Sequence, residues 1–205
     1  MQARTGLRTS DRVGLWVLAV GTALVMAGLM VVAVINVIRI GTNTAADLTL
    51  PVDLPLPADA VAGPATIVDG ALTQATVIAA DLNADTIGLL TVGAALTWIS
   101  YLCVAGAFLF ILVSMLRDRP FARALRNALI GAAISVTVLG LTGSFLTSIG
   151  TADAAVQLSG NVELHPYLLE LGGDLTPLFI GFVLATGALL VQIGERMQHD
   201  TERLI

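Results

Sequence analysis

Four stretches of this chain, Val13–Ile38, Ile87–Leu116, Asn127–Gly150 and Leu175–Ile193, contain no charged side chain. Nothing else in the sequence restricts its fold so strongly. A helix needs about 20 mostly apolar residues to cross a hydrocarbon core about 30 Å thick. No water reaches backbone groups there, so an open segment of this kind can cross only as a helix. Composition excludes the alternative of an unusually apolar soluble core. The chain is 56% hydrophobic and only 12% charged, against about 25% charged in a typical soluble domain. The fold class expected is therefore all-α membrane: a four-transmembrane-helix bundle forming a single domain over residues 1–205. Ser10 and Asp11 are suitable caps for the first helix. Pro177 falls in the first turn of the last one, where its missing N–H costs little.

The first stretch also has features of a secretory leader, with Arg4, Arg8 and Arg12 before it and small residues in "TNTAAD" after it. A leader's apolar region is about 7–15 residues long. This one is well beyond that, and a retained helix is the expectation.

Orientation follows from arginine. All ten basic residues are arginine. Four crossings put nine of them on one side: Arg4, Arg8 and Arg12 in the first tail, Arg117, Arg119, Arg123 and Arg126 in the link between the second and third helices, and Arg196 and Arg203 in the last tail. Only Arg39 falls on the other. Excess arginine marks the cytoplasmic side, so both termini are expected inside. The outer segments sum to −9 and the inner ones to +4, which recovers the net charge of −5. "RDRPFARALR", residues 117–126, thus reads as a cytoplasmic turn resting against lipid headgroups rather than as a nucleic-acid patch or an arginine-based catalytic cluster.

The outer segments are expected over 41–86 and 151–174. The first is too long for a simple connection. Pro51, Pro55, Pro57 and Pro64 disfavour helix and suit edge strand. Asp69-Gly70 is a hairpin signal with β-forming residues on either side. A small extracytoplasmic β-element of two or three short strands is expected, with "LTLPVDLPL" as one of them. The second outer segment suits one short amphipathic helix. "IGTNTAADL" from Ile40 and "IGTADAAVQL" from Ile149 echo each other faintly, as a tandem helix-hairpin repeat would, but in sequence so apolar and alanine-rich chance explains the echo better.

Little here points to chemistry. There is no phosphate-binding glycine loop, no HExxH and no nucleophile–base constellation. His165 and His199 fall on opposite sides, and Cys103 lies in a span, so no zinc spacing exists. No cofactor and no enzymatic activity are expected. The spans lack the ionisable residues that ion-coupled transporters use. Their hydroxyls suit local hydrogen bonds, and the pairs Gly131/Ser135 and Gly140/Ser144 suit close helix packing.

Two stretches resemble a family of small bacterial four-helix membrane proteins of unknown function. These are "RDRPFARALRNALIGAAI", with Pro120, Phe121 and Asn127, and the tail "GERMQHDTERLI", with Gly194, Asp200, Glu202, Leu204 and Ile205. Arg203 stands where that family commonly has a small residue. Members are often encoded beside an Xre-type helix-turn-helix regulator, so the resemblance implies a membrane component paired with a cytosolic repressor. The residues expected to set topology or face a partner are Arg117, Arg119, Pro120, Phe121, Arg123, Arg126, Gly194, Asp200 and Glu202. The reading that follows is a non-enzymatic sensing or regulatory membrane protein, without direct nucleic-acid binding. A small-solute transporter or permeability factor, and a structural envelope protein that self-associates, are the alternatives.

Overall fold

The computed structural model describes residues 9–42, 46–55, 71–117, 123–159 and 174–202. The elements in order are α1 (Thr9–Gly41), β1 (Ala46–Pro55), β2 (Ala71–Ala79), α2 (Ala84–Leu116), α3 (Arg123–Ser159) and α4 (Thr176–Glu202). All four helices contain a stretch long and apolar enough to cross a membrane, with mean hydropathy of 2.6, 2.4, 1.9 and 1.9 in chain order. Their apolar side chains face outward: Leu24, Val25, Phe182 and Val183 are all more than 60% exposed. Exposure on this scale would be unstable in water and is natural in lipid.

Every helix is longer than its apolar run. α3 is expected to stop at Gly150 but continues to Ser159, through alanine-rich sequence that favours helix and carries two buried alanines, Ala154 and Ala155. α4 is expected to end at Ile193 but continues through the good helix formers of "GERMQ" to Glu202. At 1.5 Å per residue, the 33 residues of α2 and the 37 of α3 reach about 50 and 55 Å. Both exceed the hydrocarbon thickness.

The chain divides into two compact units. One comprises residues 1–34, 95–142 and 174–205, and the other residues 35–94 and 143–173. α1, α2 and α3 each contribute to both units.

The first unit is helical. Ala107 and Ile111 of α2, Leu125, Leu129 and Ala132 of α3, and Leu184, Ala188 and Val191 of α4 form its core. α3 and α4 approach closely at two points. Gly181 lies against Thr137 and the Ala133 carbonyl, and Gly140 lies against the Pro177 ring. Of the small-residue pairs in the sequence, Gly140 is used for packing. A side chain at Gly131 would meet open space. The hydroxyls of Thr22, Ser100 and Thr186 donate to carbonyls three or four residues back on their own helices.

The second unit is built around an antiparallel β1–β2 ribbon. Ala46 pairs with Ala79, Leu48 with Val77 and Leu50 with Ala75, so all six side chains share one face. Leu48, Leu50 and Ala79 then pack with Leu82, with Leu90 of α2 and with Ala154 and Ala155 of α3. Between Pro51 and Leu54, β1 takes one residue more than β2, which marks a bulge. Both strands of a two-stranded ribbon are edges, so Pro51 and Pro55 are tolerated. The sequence suggests that β2 pairs across Asp69-Gly70, but its partner in the fold is the distant β1. Asp69, Gly70 and the residues just before them lie outside the described residues. Asp81 turns the chain from β2 into α2 at φ 58°, a left-handed conformation that aspartate tolerates. Asn83 then accepts the first hydrogen bond of α2, from the Ile87 N–H. The faint echo noted in the sequence has no counterpart in the fold. α1 ends at Gly41, where the Thr42 hydroxyl bonds back to Ile38 and Arg39, whereas α3 runs on unbroken through Gly150.

α4 opens with an Asx-turn in which the Thr176 N–H donates to Asp174 Oδ1 at 2.9 Å. Hydrogen bonds from the Thr176 side chain and backbone hold the Asp174 carboxyl below its ordinary value of 3.8. A depressed folded value means that the carboxylate contributes stability above the unfolded pKa. That contribution is lost as pH falls through the lowered folded value. The Thr176 amide resonance should therefore titrate with a midpoint below 3.8. Asp174→Asn keeps an acceptor and should abolish the titration while preserving the turn. A midpoint at or above the ordinary value would contradict this geometry.

Candidate functional site

Two polar clusters stand out from this apolar framework, one in each unit. The first lies where α3 begins and α4 is ending. Cations in the first turn of a helix oppose its dipole, yet α3 starts with Arg123 and carries Arg126 one turn later. Glu195 of α4 offsets both. Arg123 Nε donates to Glu195 Oε1 at 2.9 Å, and Arg126 Nη1 lies 3.8 Å from Oε2. Arg123 is 83% exposed and Arg126 only 29%. The outer of the two bonds is therefore well screened, and the pair is worth about 0–1 kcal/mol as surface ion pairs go. What it does is fix which part of α4 lies beside the start of α3.

Of the residues expected to face a partner, the fold thus brings Arg123 and Arg126 together, with each other and with Glu195. Arg117 is exposed just after α2, its N–H bonded to the Val113 carbonyl. Gly194 is half-buried in α4, one residue before Glu195. Arg119, Pro120 and Phe121 lie outside the described residues. Asp200 and Glu202 belong to α4, but their side chains are not among those described. Sequence reasoning overlooked Glu195, although its signal was available. It is the first acid after the last apolar run, and four arginines stand in the link between α2 and the first turns of α3.

The second cluster ties α2 to α3 in the ribbon unit. The Thr86 hydroxyl, fully buried, donates to Asp153 Oδ2. Gln157 Nε2 donates to the same oxygen at 3.0 Å and to Thr86 Oγ1 at 2.6 Å. The Asn83 N–H in turn donates to Gln157 Oε1 at 3.0 Å. Each of these polar groups has a partner, so the cluster acts as a clamp. On the same unit Arg39, the lone arginine of its segment, pairs with Asp47 at 3.2 Å, and both are about half exposed.

Among the described residues, no three of His, Cys, Asp and Glu come close enough together to hold a metal ion. Cys103 is a free, half-buried thiol in α2. The geometry is that of an apolar four-helix framework carrying a packed ribbon unit and a charged helix-end cluster. Comparison with family models, with curated proteins and with solved structures finds no match to this chain.

Proposed function

We propose that this is an integral protein of a bacterial cytoplasmic membrane that crosses four times with both termini inside, and that it senses rather than catalyses. In this reading the ribbon unit lies outside and meets the signal. The inner end of α4 and the arginine-rich turn hold a cytosolic partner, a helix-turn-helix regulator if the family resemblance holds. One observation carries the proposal: α1, α2 and α3 run without a break through both units. A ligand that shifts the helix ends clamped by Thr86, Asp153 and Gln157 acts on rods that also belong to the other unit. The uncharged spans supply no path for a polar solute, and the arginine distribution supplies the orientation.

The test combines topology with partnership. In a Cys103→Ser background, a Thr49→Cys variant on the exposed side of β1 should react with a membrane-impermeant maleimide in intact cells. A fluorescent protein fused after Ile205 should glow in the cytoplasm. A helix-turn-helix regulator should co-purify with the full chain and be lost when the chain stops at Ile193. Protection of position 49 in intact cells refutes the topology. A regulator that stays soluble beside the full chain refutes the partnership.

A further inference from the structure

The two strands of the ribbon differ in how they end the sheet. Each has an outer edge, and such an edge is a row of backbone donors and acceptors that can pair with another chain. Proteins commonly blunt an edge with proline or charge. β1 has both: Pro51 and Pro55 lack an N–H, and Asp47 and Asp53 add charge. β2, "ALTQATVIA", has neither, and no glycine. Among the described residues the backbone of β2 bonds only to β1. Its outer edge is open and unguarded, and the chemistry it offers is strand addition.

Side chains and charge narrow the partner. On one face of β2, Gln74, Thr76 and Ile78 are exposed, Ile78 by 69%. On the other, Ala75 and Val77 are half-buried, Val77 against the core that holds Leu48 and Leu50. A strand laid along this edge continues both faces, so every second side chain must be apolar to extend that core. The field of the unit selects the rest. Residues 35–94 and 143–173 hold nine carboxylates and one arginine, and that arginine, Arg39, is already paired with Asp47. Asp81 and Asp85 follow closely on β2, and both are exposed. Such a surface draws in cations and repels a like-charged second copy. Lysine or arginine stems can lie along Ile78 while their charged ends stay in water.

We infer that the outer edge of β2 binds an extended cationic peptide as a third strand, in which lysine or arginine alternates with small apolar residues. The inference rests on the sensing reading above and deepens it by naming the class of signal. β2 leads through Asp81 and Asn83 into α2, and the Asn83 N–H is held by Gln157 of α3. A strand added to β2 therefore acts on the segment that joins it to the clamped helix ends.

The test uses the full chain in phosphatidylcholine nanodiscs, with empty nanodiscs as the reference, and a peptide of about eight residues alternating lysine and valine. On adding the peptide, the amides of residues 74–79 that are not bonded to β1 should gain about tenfold protection from hydrogen exchange, and the outer amides of residues 46–50 should not. Glutamate in place of lysine should weaken binding at least about tenfold. N-methylation of alternate residues removes backbone donors and keeps the charge, and it should weaken binding as much. Asp81→Asn with Asp85→Asn should weaken it about threefold, since asparagine also tolerates the left-handed backbone at position 81. Equal binding of the N-methylated peptide would overturn strand addition, and equal binding of the glutamate peptide would overturn the charge preference. Protection of β2 that rises with protein concentration before any peptide is added would give the edge to a second copy and overturn the proposal. No binding would remove this site and leave the topology untouched. Binding on nanodiscs with position 49 protected in cells would keep the site and remove the sensing reading instead.

Discussion

Replacing Gly93 with alanine will destabilise the ribbon unit more than any other single methyl group added along α2. A Cβ at that position would stand 2.8 Å from the backbone nitrogen of Thr147 and 2.9 Å from the backbone oxygen of Gly143, and it would also crowd the Thr147 hydroxyl. The hydroxyl can rotate away, but the backbone cannot. Relief requires α2 and α3 to separate, which loosens the contacts of Leu90 with Ala154 and Ala155 and stretches the hydrogen bonds joining Thr86, Asp153 and Gln157. Overpacking typically costs about 1–3 kcal/mol, and rigid neighbours place this case at or above the upper end. The control lies in the same helix. A Cβ at Gly88 meets nothing within 4 Å, so Gly88→Ala should gain up to about 0.8–1.0 kcal/mol from helix propensity alone. Denaturant titration in detergent micelles should show the two substitutions moving the midpoint in opposite directions. Matching shifts would mean that α2 and α3 do not approach so closely.

The contrast between those two glycines shows how far the sequence could be read. Hydropathy marks where a helix can lie in lipid, so four helices long and apolar enough to cross were legible from four uncharged runs. It does not mark where a helix ends. Residues 151–159 of α3 read as loop because Asp153 and Gln157 interrupt the apolar pattern. They remain helical because those polar groups are paired with Thr86 and with one another, and the alanines between them are buried. Likewise "LTLPVDLPL", with prolines that disfavour helix, was legible as a strand, and it falls largely in β1. Its partner was not, because nothing local distinguishes the nearby pairing across Asp69-Gly70 from the distant pairing of β1 with β2. The arginines stand out by count alone, and the expected topology rests on that count. That two of them meet Glu195 depends on α3 and α4 being neighbours, which single-residue patterns do not encode.

Leu50→Ala carries the second large effect, and its reach will show whether the two units melt together. Leu50 is fully buried between β2 and the ends of α2 and α3. A two-stranded ribbon is at best marginal on its own, so β1 and β2 depend on this face for their order. Truncating a buried leucine costs about 2–5 kcal/mol through lost transfer energy and the cavity left behind. The ribbon cannot collapse freely to fill that cavity, because its register is fixed by the Leu48–Val77 and Ala46–Ala79 pairs and by the bulge beyond Pro51. Thr49, adjacent in sequence but on the exposed face, should tolerate alanine within about 0.5 kcal/mol. Hydrogen exchange on the reconstituted protein is the suitable readout. In Leu50→Ala, amide protection in residues 46–50 and 74–79 should fall by about two orders of magnitude. Amides near Leu129 and Val136, in the core of the helical unit, should keep theirs. That outcome makes the ribbon unit a separately opening module, as a sensing element needs to be. Equal loss around Val136 would mean that the chain opens as one body, and an effect no larger than that of Thr49→Ala would mean that the ribbon does not rest on this core at all.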